Sequence, residues 1–173
     1  DLTNDRGETP SAVQSSTGDQ YAYFKDINST SFYVETEITV SKDLGDSFPK
    51  FGLAARVGDN TLFFYIDGSS NYNAQRVGYV SRNDKGEWAW GTNDNKEQQV
   101  DIGKYTDGEY VKLGMLRDGN TFKLYVNDQL IFTVTDVRGF GSDKASVAAV
   151  LTFTTGVTIR NYSATTDIAS VEK

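Results

Sequence analysis

Apolar and polar side chains alternate with a period of two along much of this chain. In residues 32–40, mostly apolar side chains occupy the even-numbered positions, while Glu35 and Glu37 fall on the odd-numbered face. Residues 51–57 repeat the alternation, and residues 62–66 continue it after an Asp-Asn turn. One apolar side with this period is typical of a half-buried β-strand. The pattern therefore predicts three strands, the last two of which form a hairpin.

The rest of the chain shows the same pattern in shorter segments. Further strands are predicted at residues 21–24, 76–81, 98–102, 110–117, 122–126, 130–134, 146–153 and 157–165. Tight turns at 118–120 (Asp-Gly-Asn) and 127–128 (Asn-Asp) join three of these strands into an antiparallel meander, because glycine tolerates the positive φ that such turns require. Residues 146–153 are apolar on both faces, as expected of a central strand. The sequence predicts an all-β fold without helices, a two-sheet antiparallel β-sandwich of the jelly-roll type.

Length and local composition predict one structural domain. The 173 residues suffice for a single sandwich with a sizeable core. Residues 1–20 are polar and are expected to form a lead-in or linker, residues 21–166 the sandwich, and residues 167–173 a C-terminal linker. The sequence starts at Asp1 and shows no signal peptide, so we expect it to be part of a larger multidomain chain.

Composition restricts the function classes that remain. The net charge of −7 argues against a nucleic-acid or anionic-membrane partner, since both require a basic surface. The chain has no apolar run long enough to span a membrane. It also has neither histidine nor cysteine, which excludes Ser-His-Asp and thiol nucleophiles and disfavours zinc. Carboxylates, lysine, tyrosine and a hard cation such as calcium remain available for chemistry.

Both tryptophans lie in one short polar segment. Trp88 and Trp90 are two positions apart, so in a strand their side chains would share a face. Amides and charged residues precede and follow them. A pair of indole rings with a polar rim suits a sugar ring, which has an apolar face and hydroxyl edges. The alternative is that one or both rings fill the core, because tryptophan is highly buried on average.

Several strand and turn segments resemble concanavalin A-like lectin and laminin-G-like domains. Residues 33–38, 52–56 and 62–67 are similar to early strands of these domains, and residues 111–128 carry their strand, Arg-Asp-Gly turn, strand and Asn-Asp turn. The chain is similar in particular to the galactose-binding modules of streptococcal surface β-galactosidases. This resemblance implies a non-catalytic module that recognises terminal galactose on host glycans, in a protein that is secreted or attached to a bacterial cell surface or cell wall.

A carbohydrate site needs an aromatic platform and planar polar side chains. Arg56 is a central candidate because its face of the strand also carries the small Gly52 and Ala54, which leave room for a ligand. The alternative for each arginine is an ordinary salt bridge on a sheet surface. The predicted ligand-binding residues are Trp88 and Trp90, with Tyr65 and Tyr72 as alternative platforms, and Arg56, Asp67, Asn71, Asn73, Arg76 and Asn93 as polar groups.

One structural calcium ion is the only cofactor that we predict. The resemblance to lectin-like sandwiches implies such an ion, which binds several oxygen ligands. Asp26, Asn28 and Asp167 are the residues expected to contribute. The chain has no loop with EF-hand spacing, and ordinary surface acidity is the alternative for each of these residues.

Carboxylate pairs offer the remaining route to catalysis. Glycoside hydrolases of family 16 share the lectin fold and carry three acidic residues at alternate positions of one strand. Here Glu35 and Glu37 are followed on the same face by Thr39, and Glu87 has no acidic partner two or four positions later. We therefore expect a non-catalytic carbohydrate-binding module. A protein-binding adhesin domain on the same fold is the alternative, followed by a glycoside hydrolase.

Overall fold

The computed structural model describes residues 2–4, 13–16, 19–40, 50–67, 75–85, 87, 97–103, 109–152 and 157–171. These residues form thirteen strands and a single turn of 3-10 helix at Ile168–Ser170. The strands are β1 (Leu2–Asn4), β2 (Val13–Ser16), β3 (Asp19–Ser29), β4 (Ser31–Val40), β5 (Lys50–Val57), β6 (Asn60–Asp67), β7 (Gln75–Arg82), β8 (Glu97–Gly103), β9 (Val111–Asp118), β10 (Thr121–Val126), β11 (Gln129–Thr135), β12 (Ala145–Thr152) and β13 (Val157–Thr165).

The strands form two sheets. Sheet I has the order β1-β13-β4-β9-β10-β11, and sheet II has the order β2-β3-β12-β5-β6-β7-β8. Neighbouring strands are antiparallel, apart from the short β1, which pairs with β13 in parallel. The prediction of an all-β, two-sheet antiparallel sandwich is confirmed. Within the described residues, no helix has the length and apolar character needed to cross a membrane.

The main core lies between the facing sides of the two sheets. Phe32 and Phe122 of sheet I pack edge to face with their ring centroids 6.2 Å apart. Phe132 of sheet I meets Phe64 and Tyr79 of sheet II at 6.4 Å and 5.1 Å. These rings are buried together with alternate aliphatic residues of the neighbouring strands, as the period of two predicts.

The structure describes short elements near both ends of the chain that pair with or pack against the sandwich. Strands β1 and β2 fall within residues 1–20, which were expected to be a lead-in, and they pair with β13 and β3. After β13, Ile168 and Val171 pack against a small buried cluster on the outer face of sheet I. Strands of three or four residues show too few alternations to be recognised locally, and their pairing partners supply the missing stabilisation.

Sheet II is buried on both faces over much of its area. Its outer face carries a second apolar cluster that includes Phe63, Tyr65, Val80 and Ala148. Phe63 and Tyr65 pack with ring centroids 5.5 Å apart, and Tyr65 has no exposed surface. The run of consecutive apolar and aromatic residues at 62–66 is the sequence signal for burial on both faces.

Arg117 occupies an inward-facing position of β9, where the alternation calls for an apolar residue. Its side chain is fully buried. The guanidinium donates hydrogen bonds to the backbone carbonyl oxygens of Gly119 (2.9 Å), Ser29 (3.1 Å), Asp143 (2.7 Å) and Gly141 (3.4 Å). It also lies over the rings of Phe122 and Phe140, at 5.4 Å and 5.7 Å. We call this arrangement the Arg117 clasp. Burial lowers the pKa of Arg117, so the carbonyl bonds have to offset the loss of hydration.

The outer face of sheet I carries a network of ion pairs around Lys112. The Lys112 ammonium lies 3.0 Å from the Asp128 carboxylate and 3.4 Å from that of Glu35. Tyr33 donates a hydrogen bond of 2.9 Å from its hydroxyl to Glu35. Burial and then this hydrogen bond raise the pKa of Tyr33 well above its usual value. The hydrogen bond to Asp128 is the main cause that raises the pKa of Lys112.

We expect this network to make the fold sensitive to alkaline pH. A group whose pKa is higher in the folded state than in the unfolded state stabilises the fold. This stabilisation is complete below the pKa of the unfolded state, about 10, and is lost as the pH rises through the pKa of the folded state. The free energy of unfolding, measured with urea at several pH values between about 9 and 12, should therefore fall with pH. Tyr33→Phe should show a shallower fall because one of the two groups is removed. Identical slopes for the variant and the parent would contradict this assignment.

Candidate ligand-binding site

A row of polar residues crosses sheet II on its outer face. Ser146 of β12 pairs with Asn28 of β3 on one side and with Arg56 of β5 on the other. Arg56 pairs in turn with Thr61, which pairs with Arg82. Paired residues point to the same side of a sheet, so strand register brings together five positions that are far apart in sequence. We call Asn28, Ser146, Arg56, Thr61 and Arg82 the polar row.

Arg56 is held in the polar row by contacts on several sides of its guanidinium. Its Nη1 donates to the Tyr23 hydroxyl at 2.8 Å, and its Nε donates to the Thr61 hydroxyl at 3.2 Å. The guanidinium lies 4.5 Å from the ring centroid of Tyr21, and its Nη2 reaches the exposed Asp59 carboxylate at 3.4 Å. Among the described residues these bonds use three of the five guanidinium N–H groups, so donors remain for a ligand.

Small residues occupy the middle of the outer face beside the polar row. Ala148, Ala54 and Gly52 lie on the central strands β12 and β5. Tyr21 and Tyr23 flank them on one side, with stacked rings 6.3 Å apart. Phe63 and Tyr65 flank them on the other side, and this part of the face is buried. Tyr23, by contrast, is half-buried, and Asn28 is exposed, so the accessible edge of the arrangement is the polar row itself.

The structure separates the polar residues that the sequence grouped into one site. Arg56 lies near the β5–β6 turn, whereas Asp67 and Arg76 pair with each other at the far end of β6 and β7. Thr61 and Asp67 are six positions apart, about 20 Å along an extended strand, so Arg56 and the Asp67–Arg76 pair lie at opposite ends of these strands. Tyr65 does not serve as an open platform either, because its ring is buried in the outer cluster. The remaining predicted residues lie outside the described residues: Asn71, Tyr72, Asn73, Trp88, Trp90 and Asn93.

Sequence reasoning missed the residues that surround Arg56. Tyr21, Tyr23 and Thr61 position its guanidinium, but β3 reaches β5 only through β12, which follows nearly ninety residues after β5 in the chain. The alternation of Tyr21 and Tyr23 placed both rings on one side of a strand, and this was the available signal. Which strand they would face depends on sheet order, which local patterns do not encode.

The residues proposed for calcium are dispersed among different elements. Asp26 and Asn28 belong to β3, and Asp167 precedes the 3-10 turn, where its backbone carbonyl accepts a hydrogen bond from the Ser170 hydroxyl. Within the described part of the chain, no group of three or more carboxylates, histidines or cysteines could hold a metal ion. The calcium site stays a prediction.

Each glutamate considered for catalysis is engaged in a local structural contact. Glu35 binds Tyr33 and Lys112. Glu37 pairs with Arg160 at 3.2 Å and accepts a hydrogen bond from Asn161. Glu87 accepts a hydrogen bond of 2.7 Å from the Asn83 amide across a turn. These glutamates form ion pairs and hydrogen bonds at the protein surface. A glycoside hydrolase would instead place an acid and a nucleophile on the two sides of a shared cleft.

The two facing sheets form a β-sandwich of the concanavalin A-like lectin type, the fold that galectins also have. The sequence matches no protein-family model and no curated protein. The comparison with solved structures therefore shows the fold of this chain, and the fold alone does not give its function.

Three solved structures illustrate this likeness. CG-16, a homodimeric agglutinin from chicken liver, is 15% identical over 84% of this chain and 100% of the agglutinin, with a TM-score of 0.58. A toad ovary galectin in complex with thio-digalactose is 11% identical over 87% of this chain and 100% of the galectin, with a TM-score of 0.57. The β-fructofuranosidase of Aspergillus kawachii, complexed with glycerol, is 13% identical over 90% of this chain but 26% of the enzyme, with a TM-score of 0.61.

Proposed function

We propose that this chain is a non-catalytic carbohydrate-binding module that recognises glycans, with terminal galactose or lactose-type sugars as the first candidates. The observation that carries the proposal is the Arg56 guanidinium, which Tyr21, Tyr23 and Thr61 hold on the outer face of sheet II, where the side chain keeps 13% of its surface exposed. Sugar hydroxyls accept hydrogen bonds from such a group, and a side chain already fixed in place loses little entropy on binding.

The neighbouring polar residues extend the same chemistry. Asn28 and Ser146 stand beside Arg56 in the polar row, and both carry groups that donate and accept hydrogen bonds. The fold supports the proposal, since the toad galectin with this architecture was solved with thio-digalactose. The ion pairs of Glu35 and Glu37 support a binding role over a hydrolytic one.

In this proposal the chain belongs to a larger secreted or cell-surface protein and brings that protein to glycans. A site built on a few hydrogen bonds binds a single sugar weakly, with a Kd of about 10⁻⁵ to 10⁻³ M. Several modules in one protein, or several glycans on one surface, would raise the overall affinity through effective concentration.

The test is a titration of the chain with galactose, lactose, glucose and mannose, with and without calcium. We expect saturable shifts of the backbone amide resonances of Tyr23, Arg56 and Thr61 with at least one of these sugars. Arg56→Gln should weaken that binding at least about tenfold, because about 1.4 kcal/mol corresponds to one charged hydrogen bond. Arg160→Gln, which changes an arginine on the outer face of sheet I, is the matched control and should bind as the parent does.

Two results would overturn the proposal. One is the absence of binding to these sugars at millimolar concentration and to every glycan of a broad array. The other is unchanged affinity in Arg56→Gln with the circular dichroism spectrum of the parent. Binding of protein partners without any glycan dependence would favour the adhesin alternative.

A further inference from the structure

A groove of about 620 Å³ lies at one end of the sandwich, between the β9–β10 turn and the loop that connects β11 to β12. This volume is in the range of pockets that hold small ligands. The residues that line it come from three separate connections and are Thr30, Gly119, Asn120, Asp136, Val137, Gly141 and Ser142. Its side chains are mostly exposed and polar, while Val137 belongs to the core and forms an apolar patch.

The walls of the groove are held in place before any ligand arrives. The Gly119 N–H donates to the Thr30 carbonyl at 2.9 Å, which ties the β9–β10 turn to the β3–β4 turn. Beneath them, the Arg117 clasp binds the carbonyl oxygens of Gly119 and Gly141. In the loop, the Phe140 N–H donates to the Val137 carbonyl at 3.1 Å. A preformed site avoids the entropy cost of ordering loops on binding.

The polar groups that remain define the chemistry of the groove. Asn120 donates a hydrogen bond of 2.5 Å from its amide to the Asp136 carboxylate. Carboxylate lone pairs, the amide oxygen of Asn120 and the hydroxyls of Thr30 and Ser142 are thus the further polar groups that the lining residues carry. These acceptors and hydroxyls can form hydrogen bonds with ligand hydroxyl groups, because a hydroxyl group both donates and accepts hydrogen bonds.

Charged ligands fit this groove poorly. An anion would meet the Asp136 carboxylate. A cation such as calcium needs several oxygen ligands, and Asp136 supplies the one carboxylate among the residues that line the groove. The buried Arg117 guanidinium beneath the groove also repels a cation, with little screening by solvent.

We infer that this groove is a second ligand site, which takes a neutral polyhydroxylated molecule such as one or two sugar units, with Asp136 and Asn120 as its main hydrogen-bonding residues. It is distinct from the polar row around Arg56. The two sites lie at the same end of the sandwich, because the Asn60 side chain packs directly on Gly139 of the loop and Asp59 binds Arg56. A single longer glycan thus has two binding points within one module.

The test is an NMR titration of the chain with lactose, galactose, glucose and mannose, read at the backbone amides of the groove. We expect at least one sugar to cause saturable shifts of Gly119, Asn120 and Gly141. Asp136→Gly removes the carboxylate and keeps the positive φ of 56° that this position requires, so it should abolish these shifts without distorting the loop. Asn120→Ala is a second variant, in the β9–β10 turn. The sugar affinity measured from the same shifts should fall at least about tenfold in this variant.

The controls separate this site from the site at Arg56. Asp118→Ala removes an exposed carboxylate that is next to the β9–β10 turn but does not line the groove. The sugar-induced shifts of this variant should match those of the parent. Arg56→Gln should leave the groove shifts intact, while the affinity measured from the shifts of Tyr23 and Thr61 should fall at least about tenfold. Three results would overturn the inference. They are groove shifts that persist in Asp136→Gly, no groove shifts with any of the four sugars, and saturable groove shifts with calcium chloride but with no sugar.

Discussion

Replacing Arg117 by methionine is expected to lower the free energy of unfolding by about 3–5 kcal/mol, the largest loss we expect from a single substitution. Methionine has a similar length and is apolar, so the cavity term is small. The loss arises because four partly buried hydrogen bonds, to the carbonyls of Ser29, Gly119, Gly141 and Asp143, are lost together at about 1 kcal/mol each. Urea denaturation followed by circular dichroism measures the change.

Two further variants make this expectation specific. Arg117→Lys keeps the charge but offers fewer donors from a single nitrogen, so it should fall between the parent and the methionine variant. Arg160→Met removes an arginine of sheet I that is 39% exposed, and it should cost about 1 kcal/mol or less. Equal losses at positions 117 and 160 would show that the clasp does not hold the turns together.

Gly52→Ala is expected to destabilise the fold by about 3 kcal/mol, because β5 and β6 pack too closely at this position for a side chain. A Cβ atom on Gly52 would overlap the backbone carbonyl oxygen of Phe64 and lie 3.0 Å from the Tyr65 Cα. Backbone atoms cannot rotate away as a flexible side chain would, so the two strands must separate. The separation would disturb the pairing that also positions Arg56 on the same hairpin.

The midpoint of urea unfolding, with the slope unchanged, is the measurement for Gly52→Ala. Gly58→Asn is the matched control in the same hairpin. Gly58 has a φ of 57° and open space around it, and asparagine tolerates this backbone conformation, so its substitution should cost less than about 1 kcal/mol. A Gly52→Ala protein as stable as the control would contradict the close approach of the two strands.

Local alternation was sufficient to predict the strands of the sandwich from residue 21 onward. Most of those segments have four or more residues with a period of two, residues 146–153 are apolar on both faces, and each segment corresponds to a strand of the structure. The same criterion failed for β1 and β2, which are too short to show a period and depend on distant partners. The apolar run at 62–66 is the sequence signal for burial on both faces of sheet II, and Phe63 and Tyr65 are buried.

The candidate sites were predicted less completely because they depend on the order of strands and turns. Arg56 was recognised from its small neighbours, but the partners that fix it come from β3 and from the β5–β6 hairpin. The groove joins Thr30, Asn120 and Asp136, which are up to a hundred residues apart in the chain. An inward arginine was visible in principle, because Arg117 follows Leu113 and Met115 at the spacing of an inward face. Its role could not be predicted without knowing which turns meet there.

The position of β12 between β3 and β5 has a consequence for how the chain acquires its structure. Ser146 must find Asn28 and Arg56, so the centre of sheet II closes contacts across more than a hundred residues. High contact order of this kind slows folding, typically to milliseconds or seconds. During translation, β3 and β5 expose unpaired edges until the ribosome has released β12, and an edge in that state is open to aggregation. The strand that completes the centre of the sheet is thus synthesised well after the two strands that it joins.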